Sequence, residues 1–503
     1  MSSATPGGVG DGRSLILAAT IVASSMAFID GSVVSIALPV IQRGLGASLA
    51  DLQWVSNAYL LLLGALILVG GGLGDRIGRR RVFLVGIVAF AAASALCGAA
   101  TSIGMLIAAR LIQGVGAALL VPQSLAIISA SFPKEIRGRA IGTWAAASSI
   151  TTALAPPLGG FLVDWLSWRV VFWINLPLSV VAIWLTWRHV PEGRDESAKG
   201  PIDWLGAAVA VVAFGALSYG LIGLSDETQR AAVSGAAIAL GLVGVVGFVL
   251  LETRAANPIM PPGLFKSRVF SGTNIVTVFL YGALAGMLFL LPFDLQARRG
   301  LSASVTGLSV LPIGIIIGLF SRPMGALADK HGPRLFLTAG PVLVGLCGVI
   351  LALGLESYWL GVMAPILLFA FGMAIVVSPL TTAVMNSVPD SKSGAASGVN
   401  NSASRLAGVF AIAIFGAAAS LVFGWLAPEG TRFGVLPPLG AAGRAAVETA
   451  FLAAYATAML FAAAWCFIAA GAAFLSLPRQ PAGTKPSNTA PDATGSSSGP
   501  SAR

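Results

Sequence analysis

The sequence predicts an all-α polytopic membrane protein. It should comprise two six-helix bundles plus two extra transmembrane helices, 14 spans in all, with both termini cytoplasmic. Three observations predict this. The 503 residues are 56% apolar and only 10% charged. They divide into fourteen apolar stretches, each long enough to cross a bilayer. A loop pattern near residue 75 returns near residue 329, eight spans later.

The composition excludes most soluble classes. Soluble globular chains carry about 25% charged residues, and a chain with a mean hydropathy of +0.88 needs lipid as solvent for most of its surface. The 61 glycines suit close helix–helix approach, because small residues form the contacts between membrane helices. The net charge of +10 would suggest nucleic acid in a soluble domain. Here the basic residues fall in short loops beside apolar stretches, so they read as topology signals and no nucleic-acid partner is expected. Cys97, Cys347 and Cys466 each lie inside an apolar stretch without metal-ligand spacing and read as small core residues. His189 and His331 fall in predicted loops. No metal or cofactor is expected. The first apolar stretch is too long for a signal peptide and contains Asp30, so it reads as the first span.

A span needs about 20 apolar residues. Along the chain the predicted spans are 14–41, 53–73, 82–100, 104–130, 138–163, 170–188, 203–224, 231–251, 270–296, 304–328, 335–355, 359–387, 399–426 and 449–477. The corresponding organisation is a cytoplasmic tail (1–13), a first six-helix bundle (14–190), two inserted helices (203–251), a second six-helix bundle (270–477) and a disordered cytoplasmic tail (478–503). With the N-terminus inside, 21 of the 30 Lys and Arg residues are cytoplasmic and 7 are external, with Arg110 and Arg322 inside spans. That bias places both termini in the cytoplasm and the protein in the plasma (inner) membrane. The longest outer loop is about 427–448, rich in Pro and Gly.

The internal repeat supports two related halves. GGLGDRIGRR from Gly71 aligns with GALADKHGPR from Gly325, matching Gly71, Asp75, Gly78 and Arg80 to Gly325, Asp329, Gly332 and Arg334. GRAIG from Gly138 aligns with GAASG from Gly394 at nearly the same offset. Both pairs are displaced by eight spans, which is six plus an inserted two. Parallel repeats around a central site are an architecture of secondary transporters.

The same residues carry a resemblance. GGLGDRIGRRR resembles the loop 2–3 signature of the major facilitator superfamily, and RLIQGVGAA (110–118) resembles its span 4 motif. IDGSVVSIALP (29–39) resembles the span 1 motif of fourteen-span drug:H+ antiporters of the QacA/EmrB type. LQWVSNAYLL (52–61), WRVVFWINLP (168–177), LPFDLQ and GLSVLP extend the likeness. The resemblance implies a major facilitator fold, alternating access, and a conformational latch at Gly71, Asp75, Gly78 and Arg79, echoed by Asp329 and Arg334. It also implies an antiporter-motif bend at Pro156, Gly159 and Gly160. In that motif Thr151 and Ala155 stand where glycines are usual, and they are expected to loosen the bend. In span 1, Gly31, Ser32 and Ser35 depart from the usual residues.

Ionisable groups inside spans cost about 2.5–3.5 kcal/mol each on insertion scales, so they mark function. Asp30 should lie roughly 15 Å deep from the outer side and Arg110 roughly 9 Å deep, at about 1.5 Å per residue. A long arginine could bridge that difference if spans 1 and 4 are neighbours. Burial disfavours the charged carboxylate and a nearby guanidinium favours it, a balance that can move with conformation. The expectation is a proton-coupling pair, Asp30 binding the proton and Arg110 biasing its release. The alternative is a fixed ion pair that only joins two helices. Phe28, Asn57, Gln113, Gln123, Trp144, Tyr281 and Asp294 are candidate substrate contacts, although Asp294 also reads as a solvated helix end. Arg322 and Arg405 read as snorkelling side chains near span ends.

No phosphate-binding loop occurs, since the dipeptide Gly-Lys is absent. HExxH is absent too, and no histidine lies within a predicted span. An enzyme is not expected. The expected function is export of small, mostly lipophilic molecules in exchange for protons, with a small-molecule substrate, protons and the lipid bilayer as partners. A proton-coupled uptake symporter or a uniporter is the alternative. The sequence names no substrate and leaves a periplasmic adaptor open.

Overall fold

The computed structural model describes residues 8–194, 202–226, 229–255, 258–389, 392–435 and 440–478. The tail expected after Pro478 lies outside the described residues, as does part of the N-terminal tail. Among the described residues, fourteen helices are long and apolar enough to cross a membrane. The first six are α1 (Gly12–Leu45), α2 (Leu49–Ile77), α3 (Arg79–Gly98), α4 (Ile103–Ser131), α5 (Glu135–Trp165) and α6 (Val170–His189). Next come α7 (Trp204–Gly223) and α8 (Ala231–Arg254). The last six are α9 (Arg268–Arg298), α10 (Ala303–His331), α11 (Pro333–Ala352), α12 (Trp359–Asn386), α13 (Ser393–Leu426) and α14 (Ala442–Ser476).

Several helices outrun their apolar stretches. α2 starts earlier than hydropathy suggests because Ser48 caps it, accepting from the Asp51 amide at 3.1 Å while Asp51 accepts the Ser48 amide at 2.9 Å. Hydropathy sees only the part of a helix that lies in hydrocarbon, whereas capping decides where it ends. The last helix also begins ahead of its apolar stretch, at Ala441, which shortens the predicted 427–448 loop. His189 and His331 are the last residues of helices instead of loop residues.

Packing repeats between the halves. In the first, α1 packs on α5 and α6, α4 on α2 and α3, and α3 on α6. In the second, α9 packs on α13 and α14, α12 on α10 and α11, and α11 on α14. Each second-half pair is the first-half pair moved by eight helices. The halves meet along α2–α13 and α5–α10, which are themselves exchanged by that shift. α7 lies in the groove between α2 and α13, and α8 packs along α7.

Glycine sets the closeness of the α5–α10 seam. A Cβ on Gly160 would strike the Ala303 carbonyl, and one on Gly307 would strike the Pro156 carbonyl. Further along, Gly142 of α5 and Gly318 of α10 have no neighbour within 4 Å. The two helices therefore touch toward the face bearing the 5–6 and 9–10 loops and part toward the face bearing the Asp75 loop.

Candidate functional site

A cavity of about 660 Å³ lies between the halves. Its first-half wall includes Phe28, Ser32, Tyr59 and Arg110, and its second-half wall includes Tyr281 and Leu288. Most of this wall is apolar, with hydroxyls from Ser35, Ser148 and Thr152 set into it. Apolar walls with a few polar groups set into them are typical of small-molecule sites.

Behind the first-half wall sits a buried charge cluster. Arg110 Nη1 lies 2.5 Å from Asp30 Oδ2, and the two residues are 2% and 0% exposed. The same Nη1 donates to Gln113 Oε1 at 2.8 Å, and Gln113 Nε2 donates to Asp30 Oδ1 at 2.8 Å. Arg110 Nε donates to the Val55 carbonyl at 3.0 Å, and the guanidinium covers the Tyr59 ring at 4.4 Å. Gln113 continues to Ser94 at 3.1 Å, which in turn accepts from Asn175 at 2.9 Å. Five helices thus converge on one carboxylate. Arg110 and Gln113 are one turn apart on α4, so α4 offers both to α1. Asp30 touches neither lipid nor open cavity in this conformation. Arg110 belongs both to its cluster and to the cavity wall.

Among the expected contacts, Phe28 and Tyr281 line the cavity. Trp144 stands behind Phe28, its ring 6.2 Å away and its Nε1 donating to Ser24 at 3.1 Å. Four others do not line the cavity. Asn57 is buried at the α2–α13 seam and donates to the Val409 carbonyl at 3.0 Å. Gln113 is committed to Asp30. Gln123 donates to the Gly70 carbonyl at 2.8 Å and fills the space over Gly74. Asp294 is neither a cavity residue nor a solvated helix end. It is 1% exposed and pairs with Arg298 at 2.5 Å and Arg299 at 2.8 Å in a π-helical turn that ends α9. Buried polar groups need partners, and the amide nitrogens of Asn57, Gln113 and Gln123 and the carboxylate of Asp294 find theirs in protein, while Asn57 Oδ1 and Gln123 Oε1 are buried without one.

The loop residues act within their own half. Asp75 pairs with Arg79 at 2.8 Å. Gly78 adopts φ 127°, which links α2 to α3 by a turn that only glycine takes easily. Gly71 approaches Pro122. Asp329 borders a separate cavity of about 460 Å³, and Arg334 stacks on Phe474 at 4.0 Å. Pro156 and Gly160 form the α5–α10 seam, and Gly159 abuts Val33 of α1. Thr151 does not loosen this stretch. Its hydroxyl meets Ser25 of α1 at 3.2 Å, and Ala155 is buried beside it, so both residues tie α5 to the bundle.

Sequence reasoning missed the closure on the far face. Asp164 of α5 accepts the Ala303 and Ser304 amides at 3.1 and 2.7 Å, capping a helix of the other half. Gln296 donates to the Ile36 carbonyl at 2.9 Å. The loop after α13 turns inward so that Phe433 stacks on Phe451 at 4.8 Å, while its carbonyl accepts from Gln42 at 2.9 Å. These contacts join the halves on the side opposite the Asp75 loop. Tyr59, Ser94 and Asn175 were also missed, though a lone polar residue in an apolar stretch is a readable signal.

Comparison with known proteins agrees with the geometry. Residues 20–412 match the Major Facilitator Superfamily. The chain is 36% identical to the multidrug resistance protein Stp of Mycobacterium tuberculosis over 420 residues, covering 82% of this chain and 76% of Stp. It is 31% identical to the tetracenomycin C resistance and export protein of Streptomyces glaucescens over 451 residues, covering 86% and 81%. It is 32% identical to the methylenomycin A resistance protein of Bacillus subtilis over 413 residues, covering 81% and 88%. In fold it is similar to a bacterial homologue of the lysosomal transporter Spinster in an inward-facing, unoccupied state, with TM-score 0.65 and 19% identity, covering 92% of this chain and 98% of that one. Two related six-helix bundles around a central cavity, with a sequence match across most of the chain, place this multi-pass membrane protein in the major facilitator superfamily, among its drug-efflux transporters.

Proposed function

We propose that the chain exports small, mostly lipophilic organic molecules in exchange for protons, by alternating access between the two six-helix bundles. One observation carries the reading: the membrane-embedded carboxylate of Asp30 has as its cationic partner Arg110, a residue of the cavity wall. A change in the protonation of Asp30 releases Arg110 from its ion pair and so alters the surface a cargo meets. The relatives' names, which speak of resistance and export, support the direction of transport.

In this reading the Asp75 face is cytoplasmic and the conformation described is open to it. Cargo enters between α5 and α10, where the helices part. Breaking the Asp164, Gln296 and Phe433 contacts then opens the far side. There a proton reaches Asp30 and the cargo leaves. The protonated transporter returns and releases its proton inside. Asp75 and Arg79, held within the first half here, are free to latch onto the second half when the cytoplasmic side closes, with Asp329 and Arg334 at the repeat-related position. The bend at Pro156, Gly159 and Gly160 is the surface on which the halves rock.

The test is dye transport in inverted vesicles with an imposed proton gradient, acid inside. Uptake should appear when the gradient is imposed and vanish in Asp30→Asn with the protein still in the membrane. Undiminished coupling in that variant removes Asp30 from the role, and gradient-driven movement in the opposite direction would favour the uptake alternative.

A further inference from the structure

Arg405 is partly buried between the two halves and has no counter-ion among the described residues. Arg405 lies on α13 where Gly64 of α2 comes close, Arg405 Cβ being 3.2 Å from where a Cβ on Gly64 would stand. It makes none of the ion pairs found among the described residues, and its Nε is sealed with no acceptor. Its direction follows from helix periodicity. Asn401, Arg405 and Ile412 share one face of α13. Asn401 lines a small polar cavity of about 160 Å³ together with Asn400, Ser404 and Tyr281. Ile412 and Tyr281 line the large cavity. Arg405 itself lines neither chamber, but it shares a helix face with residues of both, and Tyr281 is common to the two walls. The phenol of Tyr59, also in the large cavity, lies within its field.

The charge balance of this space is one-sided. Asp30 neutralises Arg110, and no Asp or Glu lines either chamber. An uncompensated cation in a low-dielectric interior is costly, and an anion brought by the cargo would relieve that cost. We propose that Arg405 is a binding residue for an anionic group on the cargo, so that the chamber selects acidic lipophilic molecules over lipophilic cations. This rests on the reading of the cavity as the cargo chamber. Cargo anchors to α13 in the second half and the proton to α1 in the first, so the two compete through the tilt of the halves and not for one site.

Tetraphenylborate and tetraphenylphosphonium, an anion and a cation of the same shape, test it by calorimetric titration of the full-length protein in detergent. Micelle partitioning is common to every variant, so the comparison is between variants. Arg405→Met should weaken tetraphenylborate binding by about ten-fold, the loss of one charge–charge attraction, without weakening tetraphenylphosphonium. Arg405→Lys should retain the preference. Asn401→Asp, one turn away, supplies the missing partner and should lower the preference with the arginine in place. An unchanged borate-to-phosphonium ratio in Arg405→Met and Asn401→Asp overturns the inference while leaving proton-driven export by Asp30 untouched. If neither ion binds the wild-type protein saturably, the chamber reading fails and this inference falls with it.

Discussion

The two halves share a packing pattern and differ in what they bury. The first half encloses Asp30, Arg110 and Gln113 in one network that reaches the cavity wall. A shift of 254 to 256 residues carries Asp30 to the segment from Leu284 to Gly286 and Arg110 to the segment from Ala364 to Ile366, all apolar. The second half keeps its buried ion cluster at the far end of α9, where Asp294 holds Arg298 and Arg299 and the latter donates to the Glu356 and Leu355 carbonyls at 2.9 and 2.8 Å. One cluster faces the chamber and the other fastens a loop. The same fold therefore differs between its halves: the first buries an ion pair beside the cavity, and the second offers that cavity a mainly apolar wall.

Four substitutions can break or sharpen that contrast. Arg110→Met leaves a buried carboxylate without its partner and should cost about 3–5 kcal/mol in thermal unfolding, together with the loss of proton-coupled transport. Asp294→Asn breaks the second-half cluster and should cost about 3 kcal/mol, yet gradient-driven dye export should persist in the protein that folds. Equal loss of coupling in both variants would erase the difference between the halves. Thr151→Gly removes the contact to Ser25 and adds a helical glycine, so unfolding should come about 1–2 kcal/mol earlier. Asp75→Asn should move stability by less than about 1 kcal/mol, because its pair with Arg79 is partly exposed. Its transport rate should nevertheless fall if the loop latches the opposite state, and an unchanged rate would make the pair a helix-end contact only.

Much of this was legible because lipid is an unforgiving solvent. A membrane helix must satisfy its backbone internally, so an apolar stretch of sufficient length has few alternatives to spanning. Asp30 and Arg110 stood out for the same reason: charge is rare where it is expensive. The polar candidates fared differently. Gln113, Asn57 and Gln123 are as conspicuous in sequence as Ser32 or Tyr59, yet only the latter two reach the cavity. An amide in an apolar stretch signals that a partner exists, not whether the partner is another helix or a cargo. Arg405 looked like an interfacial side chain because its span was expected to begin only a few residues earlier, at 399. The helix starts at Ser393, which places Arg405 about three turns along it.

The amino-acid sequence by itself determined the number of crossings, the eight-helix repeat and the presence of Asp30 and Arg110 within spans, because each follows from local composition set against a fixed hydrocarbon thickness. The tertiary structure alone decided which face is shut, which polar residues meet one another across the seams, and which arginine is left without a partner. Those outcomes depend on helices hundreds of residues apart approaching within a few ångströms, at places such as Gly160 and Gly307, where the absence of a side chain lets one backbone rest on another.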